Sequence, residues 1–220
     1  VLIVRDTRES SPMLEAALAA GVAQGGGDAL LGGVLPTPAA SVLVRKLGLD
    51  LAAVISASHN PWRDNGIKFF GADGRKLPDE AEEGIERVVA DGALPPPAAV
   101  GAIRELHGAG DDYLRALAEA FPLDLGGLRV ALDCANGATH QVAPRIFQRL
   151  GAEVEAIGVD PDGRNINAGC GSTHPELLAQ RVRDIGAALG FAFDGDGDRV
   201  IAVDAEGRVR DGDELISLIA

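Results

Sequence analysis

Two short apolar runs, residues 52–56 and 189–193, each end in a loop that no strand could continue, and this pairing constrains the fold more than any other feature. The first run feeds ISASHNPWRDNGIKFF at residues 55–70, where Asn60, Pro61 and Gly66 interrupt the extended backbone before apolar residues resume. The second feeds FDGDGDR at residues 193–199, followed by another apolar run at residues 200–204. Five-residue apolar stretches bounded by turn residues read as buried strands. Open α/β sheets place their ligand sites just beyond the carboxyl ends of such strands. The sequence therefore predicts an α/β protein with two layers, each presenting one loop.

The rest of the chain supplies the helices. Residues 1–4 read as a buried strand, and Ser10 or Ser11 before Pro12 starts a helix that runs to about Val22, ahead of Gly25, Gly26 and Gly27. A strand at 29–35, a helix from Pro36-Thr37-Pro38 to about Leu47, the strand at 52–56, a returning strand at 66–70 and a helix at 78–90 complete the first unit. Residues 91–101, with three consecutive prolines, read as a linker or surface crossing, and residues 111–121 as a connecting helix. The second unit runs strand 128–132, helix 139–150, strand 153–157, helix 175–185 and strands 189–193 and 200–204. The expected fold is two successive α/β domains with mixed sheets flanked by helices, the first spanning residues 1–108 and the second residues 109–206.

Asp194, Asp196 and Asp198 alternate with Gly195 and Gly197, so three carboxylates can converge along a backbone that carries no intervening Cβ. Oxygen donors alone select a hard cation. A calcium-binding EF-hand loop is excluded, because its sixth and twelfth positions would be Arg199 and Ala205 rather than glycine and glutamate. Magnesium is the better match, since it takes few protein carboxylates and shares its sphere with phosphate. The plain alternative is a turn between strands, but three acids in five positions repel one another unless a counter-ion is present.

Ser58 lies two residues past a strand, before His59, Asn60 and Pro61. A turn serine is ordinarily a cap or a hydrogen-bond donor. His59 and Lys68 alter that reading, because each can move a proton or stabilise a transferring phosphoryl group. Trp62 reads equally as packing at the base of the loop or as pocket lining. Gly169-Cys170-Gly171-Ser172 reads as structural or as bordering the cleft. A serine in such a turn together with a hard-cation cluster points to phosphoryl transfer through the serine. No Walker A pattern, GxSxG elbow or strand-linked GxGxxG competes with it.

The net charge of −13 repels phosphate backbones and anionic lipid, which argues against nucleic acid and membrane as partners. Local cations must then serve an anionic substrate, and Arg63, Lys68 and Arg75 accompany the first motif while Arg199 follows the second. No apolar run approaches the roughly 18 residues that cross a bilayer. Cys134 and Cys170 are too few for a disulfide framework, and the four histidines lack zinc spacing, so the expected setting is a reducing cytoplasm. The chain opens on VLIV without a signal peptide and closes on a helical pattern, DELISLIA, that lacks a cap. Both ends read as cuts in a longer protein.

The chain resembles the α-D-phosphohexomutase superfamily, whose phosphoserine loop matches SASHNP and whose magnesium loop matches DGDGDR. ISASHNP followed by DNGIKFF, and CANGA at residues 134–138, resemble the bacterial phosphoglucosamine mutase branch more than the phosphomannomutase/phosphoglucomutase branch. The resemblance implies four domains around one cleft. These 220 residues would match domain one without its opening segment, domain two, and the start of domain three at residues 207–220. The family's amino-terminal arginine loop, sugar-reading loop and phosphate-gripping loop find no match. Position by position, Ser58 would carry the phosphate, which with Asp194, Asp196 and Asp198 would hold one magnesium ion. His59 and Lys68 would assist proton transfer, and Arg199 would contact the phosphoryl group. The implied reaction interconverts glucosamine 6-phosphate and glucosamine 1-phosphate through a 1,6-bisphosphate that also serves as activator, with full turnover needing the absent domains; a homodimer is left open. A sibling mutase acting on glucose or mannose phosphates, a magnesium-dependent phosphatase and a non-catalytic metal-binding module stay as alternatives.

Overall fold

The computed structural model describes residues 1–92 and 99–219. Strands β1 (Leu2–Arg5), β2 (Ala29–Val34), β3 (Leu51–Ile55), β4 (Ile67–Gly71) and β5 (Ile103–Glu105) form one sheet in the order β4-β3-β1-β2-β5. Its pairs are parallel except β3 with β4, which are antiparallel. Helices α1 (Ser11–Gln24), α2 (Thr37–Lys46) and α3 (Asp79–Asp91) complete this unit. After α4 (Ala109–Ala120) the pattern is repeated by β6 (Arg129–Asp133), α5 (Val142–Arg149), β7 (Glu153–Ile157), α6 (Glu176–Ile185), β8 (Leu189–Phe193), β9 (Val200–Asp204), β10 (Val209–Arg210) and α7 (Gly212–Ile219). The second sheet runs β10-β9-β8-β6-β7, again with parallel central strands and antiparallel returns.

Local chemistry sets the helix ends. Proline occupies the first turn of α1 and of α2, where its missing N–H costs nothing. Asp79, Glu80 and Glu82 complement the positive end of α3, which stops at Gly92 with φ of 63°. Both sheets are covered on two faces. Leu2, Val4, Ala52 and Val54 pack under Ala40, Leu43 and Val44 of α2, while Ile3, Ala53 and Ile55 face Ala19 of α1. In the second sheet Ala131, Ala192 and Val203 meet Leu178 and Val182 of α6, and Val130 and Leu132 meet Ala143 of α5. Full burial of each large side chain is worth roughly 1.5–3 kcal/mol.

The first cluster crosses from one unit into the other. Tyr113 and Leu114 of α4 and Val142 of α5 are buried together with Leu35 and Leu43. The connecting helix thus seats both units on a shared apolar patch.

Two strands escape periodicity. β5 is three exposed residues at a sheet edge and β10 only two, so neither carries an alternating apolar signal. The helix expected from residue 139 starts at Val142, because residues 137–141 turn beneath the aspartate loop instead. Part of the expected proline linker, residues 93–98, lies outside the described residues. Among the described residues no helix is long and apolar enough to cross a membrane.

Candidate active site

Each sheet offers one loop at the corresponding place: residues 56–66 join β3 to antiparallel β4, and residues 194–199 join β8 to antiparallel β9. The two loops meet across the seam between the units. Ser58 Oγ donates to Asp194 Oδ2 at 2.5 Å.

Ser58 is buried and has φ of 52°, a left-handed conformation that non-glycine residues adopt at a cost. A polar scaffold beneath holds it there. Asp6 and Arg8, just past the end of β1, form a fully buried ion pair at 2.7 Å. Arg8 also donates to the carbonyl oxygens of Ser58 at 2.8 Å, Asn60 at 3.0 Å and Pro61 at 2.5 Å. Asp6 accepts from Ser11 Oγ at 2.8 Å and from Ser56 Oγ at 2.6 Å, and Ser56 Oγ in turn accepts the Ser58 N–H at 3.0 Å. A buried pair persists when its remaining donors and acceptors are satisfied in this way.

Asp194 and Asp196 are buried and Asp198 is exposed, its side chain at 34%. One carboxylate oxygen of each lies within 4.8 Å of those of the other two. Lys68 Nζ on β4 reaches Asp196 Oδ2 at 2.8 Å and Asp198 Oδ2 at 3.3 Å, and Thr37 Oγ1 donates to Asp196 Oδ2 at 2.7 Å. Asp196 Oδ1 is buried with no hydrogen-bond partner. An orphaned oxygen in a cluster of three carboxylates, with only hard oxygen donors in the set, fits a divalent cation.

Close approach requires glycine in this loop and in the turn after β6 that meets it. A Cβ on Gly195 would stand 2.6 Å from the Ser58 carbonyl oxygen, and one on Gly137 would stand 2.3 Å from that of Gly195.

Electrostatics separates the two buried acids. Burial pushes the Asp194 carboxyl up to about 6, against the Ser58 hydroxyl bond and with the help of the Asp196 and Asp198 charges. Burial acts on Asp196 in the same sense, but the Lys68 ammonium and the Thr37 hydroxyl outweigh it and hold that carboxyl below its ordinary value. Burial likewise pulls Lys68 down, and Asp196 and Asp198 more than restore it. Of the two buried carboxyls, Asp194 is therefore the more readily protonated.

The other residues singled out in the sequence divide. His59 Nδ1 lies 3.4 Å from Ser58 Oγ with its ring open to solvent. Arg199 donates its backbone N–H to Asp194 Oδ1 at 3.1 Å, while its guanidinium, 4.0 Å from Asp198, projects outward at the mouth of the cluster. Of the three cations expected around the first motif, Lys68 alone makes an ion pair with the carboxylates. Arg63 lies over the Trp62 ring at 5.1 Å and Arg75 is exposed in the turn after β4. Arg164 of the second unit lies 5.2 Å from the same indole, which lines a cavity of about 390 Å³ with His59 and His174. The glycine-rich 169–172 loop is structural at Gly171, whose N–H donates to buried Asp133 at 2.8 Å, and at Ser172, whose N–H donates to the Phe193 carbonyl at 2.8 Å.

Sequence reasoning missed Asp6, Arg8, Thr37 and Asn167. The first two had a signal, since RDTRESS at residues 5–11 is a dense polar segment directly after a buried strand, the same position that the other two loops occupy. Asn167 had none.

Residues 1–95 match the domain described as phosphoglucomutase/phosphomannomutase, alpha/beta/alpha domain I, and residues 111–207 match domain II of the same description. Curated relatives include the phosphoglucosamine mutase of Desulforudis audaxviator, 55% identical with 98% of this chain and 49% of the relative covered. That of Moorella thermoacetica is 54% identical, with 100% of this chain and 50% of the relative covered. A phosphoglucomutase/phosphomannomutase family protein of Burkholderia thailandensis, solved by crystallography, superimposes with a TM-score of 0.83 at 29% identity, covering 94% of this chain and 47% of that one. The chain spans about half the length of the relatives it matches. With both domain matches in sequence order and the two hairpin loops meeting at one cluster, the chain belongs to the phosphoglucomutase/phosphomannomutase family of α-D-phosphohexomutases, and its curated relatives carry the name phosphoglucosamine mutase.

Proposed function

We propose that this chain is the serine- and metal-bearing half of a phosphoglucosamine mutase, an isomerase that interconverts glucosamine 6-phosphate and glucosamine 1-phosphate. The observation that carries the reading is the 2.5 Å contact of Ser58 Oγ with Asp194 inside a three-carboxylate cluster capped by Lys68. Residues 1–108 and 109–206 are taken as two domains. Residues 207–220, whose strand β10 pairs onto the second sheet, lead into a third. The remaining partners in this reading are the rest of the longer polypeptide and a sugar phosphate, in the cytoplasm.

Asp194, Asp196 and Asp198, joined by the phosphate on Ser58, would hold magnesium, which when bound neutralises charge on the phosphoryl oxygens. In the forward half, the hexosamine 6-phosphate hydroxyl attacks the phosphorus, the P–Oγ bond of Ser58 breaks and a 1,6-bisphosphate forms. His59, beside Ser58 Oγ, and Lys68, bonded to the neighbouring carboxylates, would pass the hydroxyl proton, and Arg199 at the mouth would steady the phosphoryl group. In the return half, Ser58 Oγ attacks the other phosphate and the sugar oxygen leaves with a proton. The chemistry asks mainly for alignment and charge neutralisation, which the pinned serine supplies.

Incubation of the chain with glucose 1,6-bisphosphate and magnesium, followed by intact mass and peptide mapping, tests the reading. One phosphate on Ser58 is expected; stable phosphate on Ser56 or Ser172 in Ser58→Ala would sink the assignment. Release of inorganic phosphate in place of an isomerised sugar would favour a phosphatase. Steady mutase turnover is not expected from this half alone, because a bisphosphate that must turn around needs a grip on its non-reacting phosphate. Turnover comparable to that of a full-length relative would overturn this point.

A further inference from the structure

The carbonyl oxygen of Ser58 is gripped by donors from opposite domains. Arg8 Nη2 approaches from the first at 2.8 Å and Asn167 Nδ2 from the second at 2.9 Å. Both donors extend to the Asn60 carbonyl, at 3.0 and 3.2 Å. On a third side the oxygen abuts Gly195, where a Cβ would come within 2.6 Å of it and 2.8 Å of Asn167 Nδ2.

Asn167 is only 9% exposed, and its own backbone is fixed in a left-handed turn with φ of 58°, its N–H donating to the Ala135 carbonyl at 2.9 Å. Asparagine tolerates that conformation better than most residues. Its neutral amide meets the Ser58 and Asn60 carbonyls and makes no hydrogen bond to the carboxylates, so its contacts are with the backbone of the phosphoryl acceptor.

Ser58 stands in a conformation that an unrestrained serine seldom occupies, and its peptide orientation decides where Oγ points. With the peptide held, Oγ faces Asp194; with the peptide free, relaxation toward a right-handed conformation would turn it away. Arg8 supplies the hold within one domain. Asn167 makes the hold conditional on the other.

We propose that Asn167 is a positioning residue for Ser58: its side-chain amide, delivered across the domain seam, locks the Ser58 peptide so that the hydroxyl faces the carboxylate cluster only while the two domains are seated together. The proposal rests on the phosphoryl-transfer reading above. A displacement of the reacting atom by about 1 Å commonly costs on the order of 100-fold in rate.

The test compares Asn167→Gly, which keeps the left-handed backbone and removes the amide, with Lys46→Ala, which removes the Lys46–Glu119 bridge between the same two units without touching the Ser58 loop. Hydrogen exchange at residues 56–65 and single-turnover labelling of Ser58 by saturating glucose 1,6-bisphosphate with magnesium are measured on the 220-residue chain. Asn167→Gly should lose protection over residues 56–65 and label about 10- to 100-fold more slowly, with unchanged half-saturation by donor. Lys46→Ala should label at the parent rate. If Asn167→Gly fails to unfold cooperatively, Asn167→Asp, which keeps the shape without the donor, carries the same expectation. Unchanged protection, or labelling within twofold of the parent, overturns the proposal. A parent chain that never labels, together with lost protection in the variant, would uphold the clamp and overturn the phosphoryl-transfer reading instead.

Discussion

Lys68 and Asp196 meet at 2.8 Å across the domain seam, so the ammonium of one sheet's returning strand caps the carboxylate of the other sheet's loop. Lys68 is half-buried and shares the buried Asp196 Oδ2 with the Thr37 hydroxyl, which leaves Asp196 Oδ1 without a hydrogen-bond partner. Lysine and threonine thus share one oxygen of the carboxylate, and the other is left for the proposed metal.

Asp196→Asn should abolish the strongest magnesium site in titration calorimetry, because it removes the oxygen that has no other partner. Parent and variant binding with equal affinity would refute the metal assignment. Phosphate on Ser58 should tighten binding in the parent, since a dianion adds a hard ligand beside the three aspartates.

The raised carboxyl of Asp194 predicts a specific pH dependence. The folded state keeps a proton up to about pH 6, whereas the unfolded aspartate loses it near 3.8. Between those values the folded state binds more protons, so this group's contribution to stability is complete below about 3.8 and is lost as pH rises through about 6. In chelator, the melting temperature of Asp194→Asn minus that of the parent should climb from pH 4 to pH 7. A flat difference would contradict the raised value. Magnesium should bind more weakly below pH 6, where it competes with that proton.

Replacing Arg8 by Met strands the Asp6 carboxylate in the interior and releases three carbonyls of the Ser58 loop. A loss of about 3–5 kcal/mol in urea unfolding is expected, the usual cost of breaking a buried pair from one side. Adding Asp6→Asn should recover part of it, and a double variant no better than the single would show that the carbonyl bonds, rather than the charge, dominate.

Both thiols should be inert in the folded chain. Burial pushes Cys134 up to about 12 and Cys170 up to about 11, and neither is accessible. A neutral-pH thiol reagent should modify neither residue until denaturant is added. Rapid modification of the native chain would mean that the β6 end of the second sheet opens locally.

What the sequence determined by itself is everything carried by short-range pattern. Five-residue apolar runs such as Leu189–Phe193 announced their strands because both faces of each sheet are covered, and proline and glycine announced most helix ends because they act on their own backbone. The three aspartates stood out because acids crowded into five positions repel one another without a counter-ion, and Ser58 and Lys68 stood out only through their neighbours in the 55–70 loop and strand. Tertiary structure decided the rest. Only folding brings Ser58 within 2.5 Å of Asp194, 136 positions away, and turns Lys68 from a surface cation into the cap of Asp196. The scaffold of Asp6, Arg8 and Asn167 came from packing as well, since a buried ion pair and a carbonyl clamp are defined by what surrounds them, and no local spacing records which distant backbone a side chain will meet.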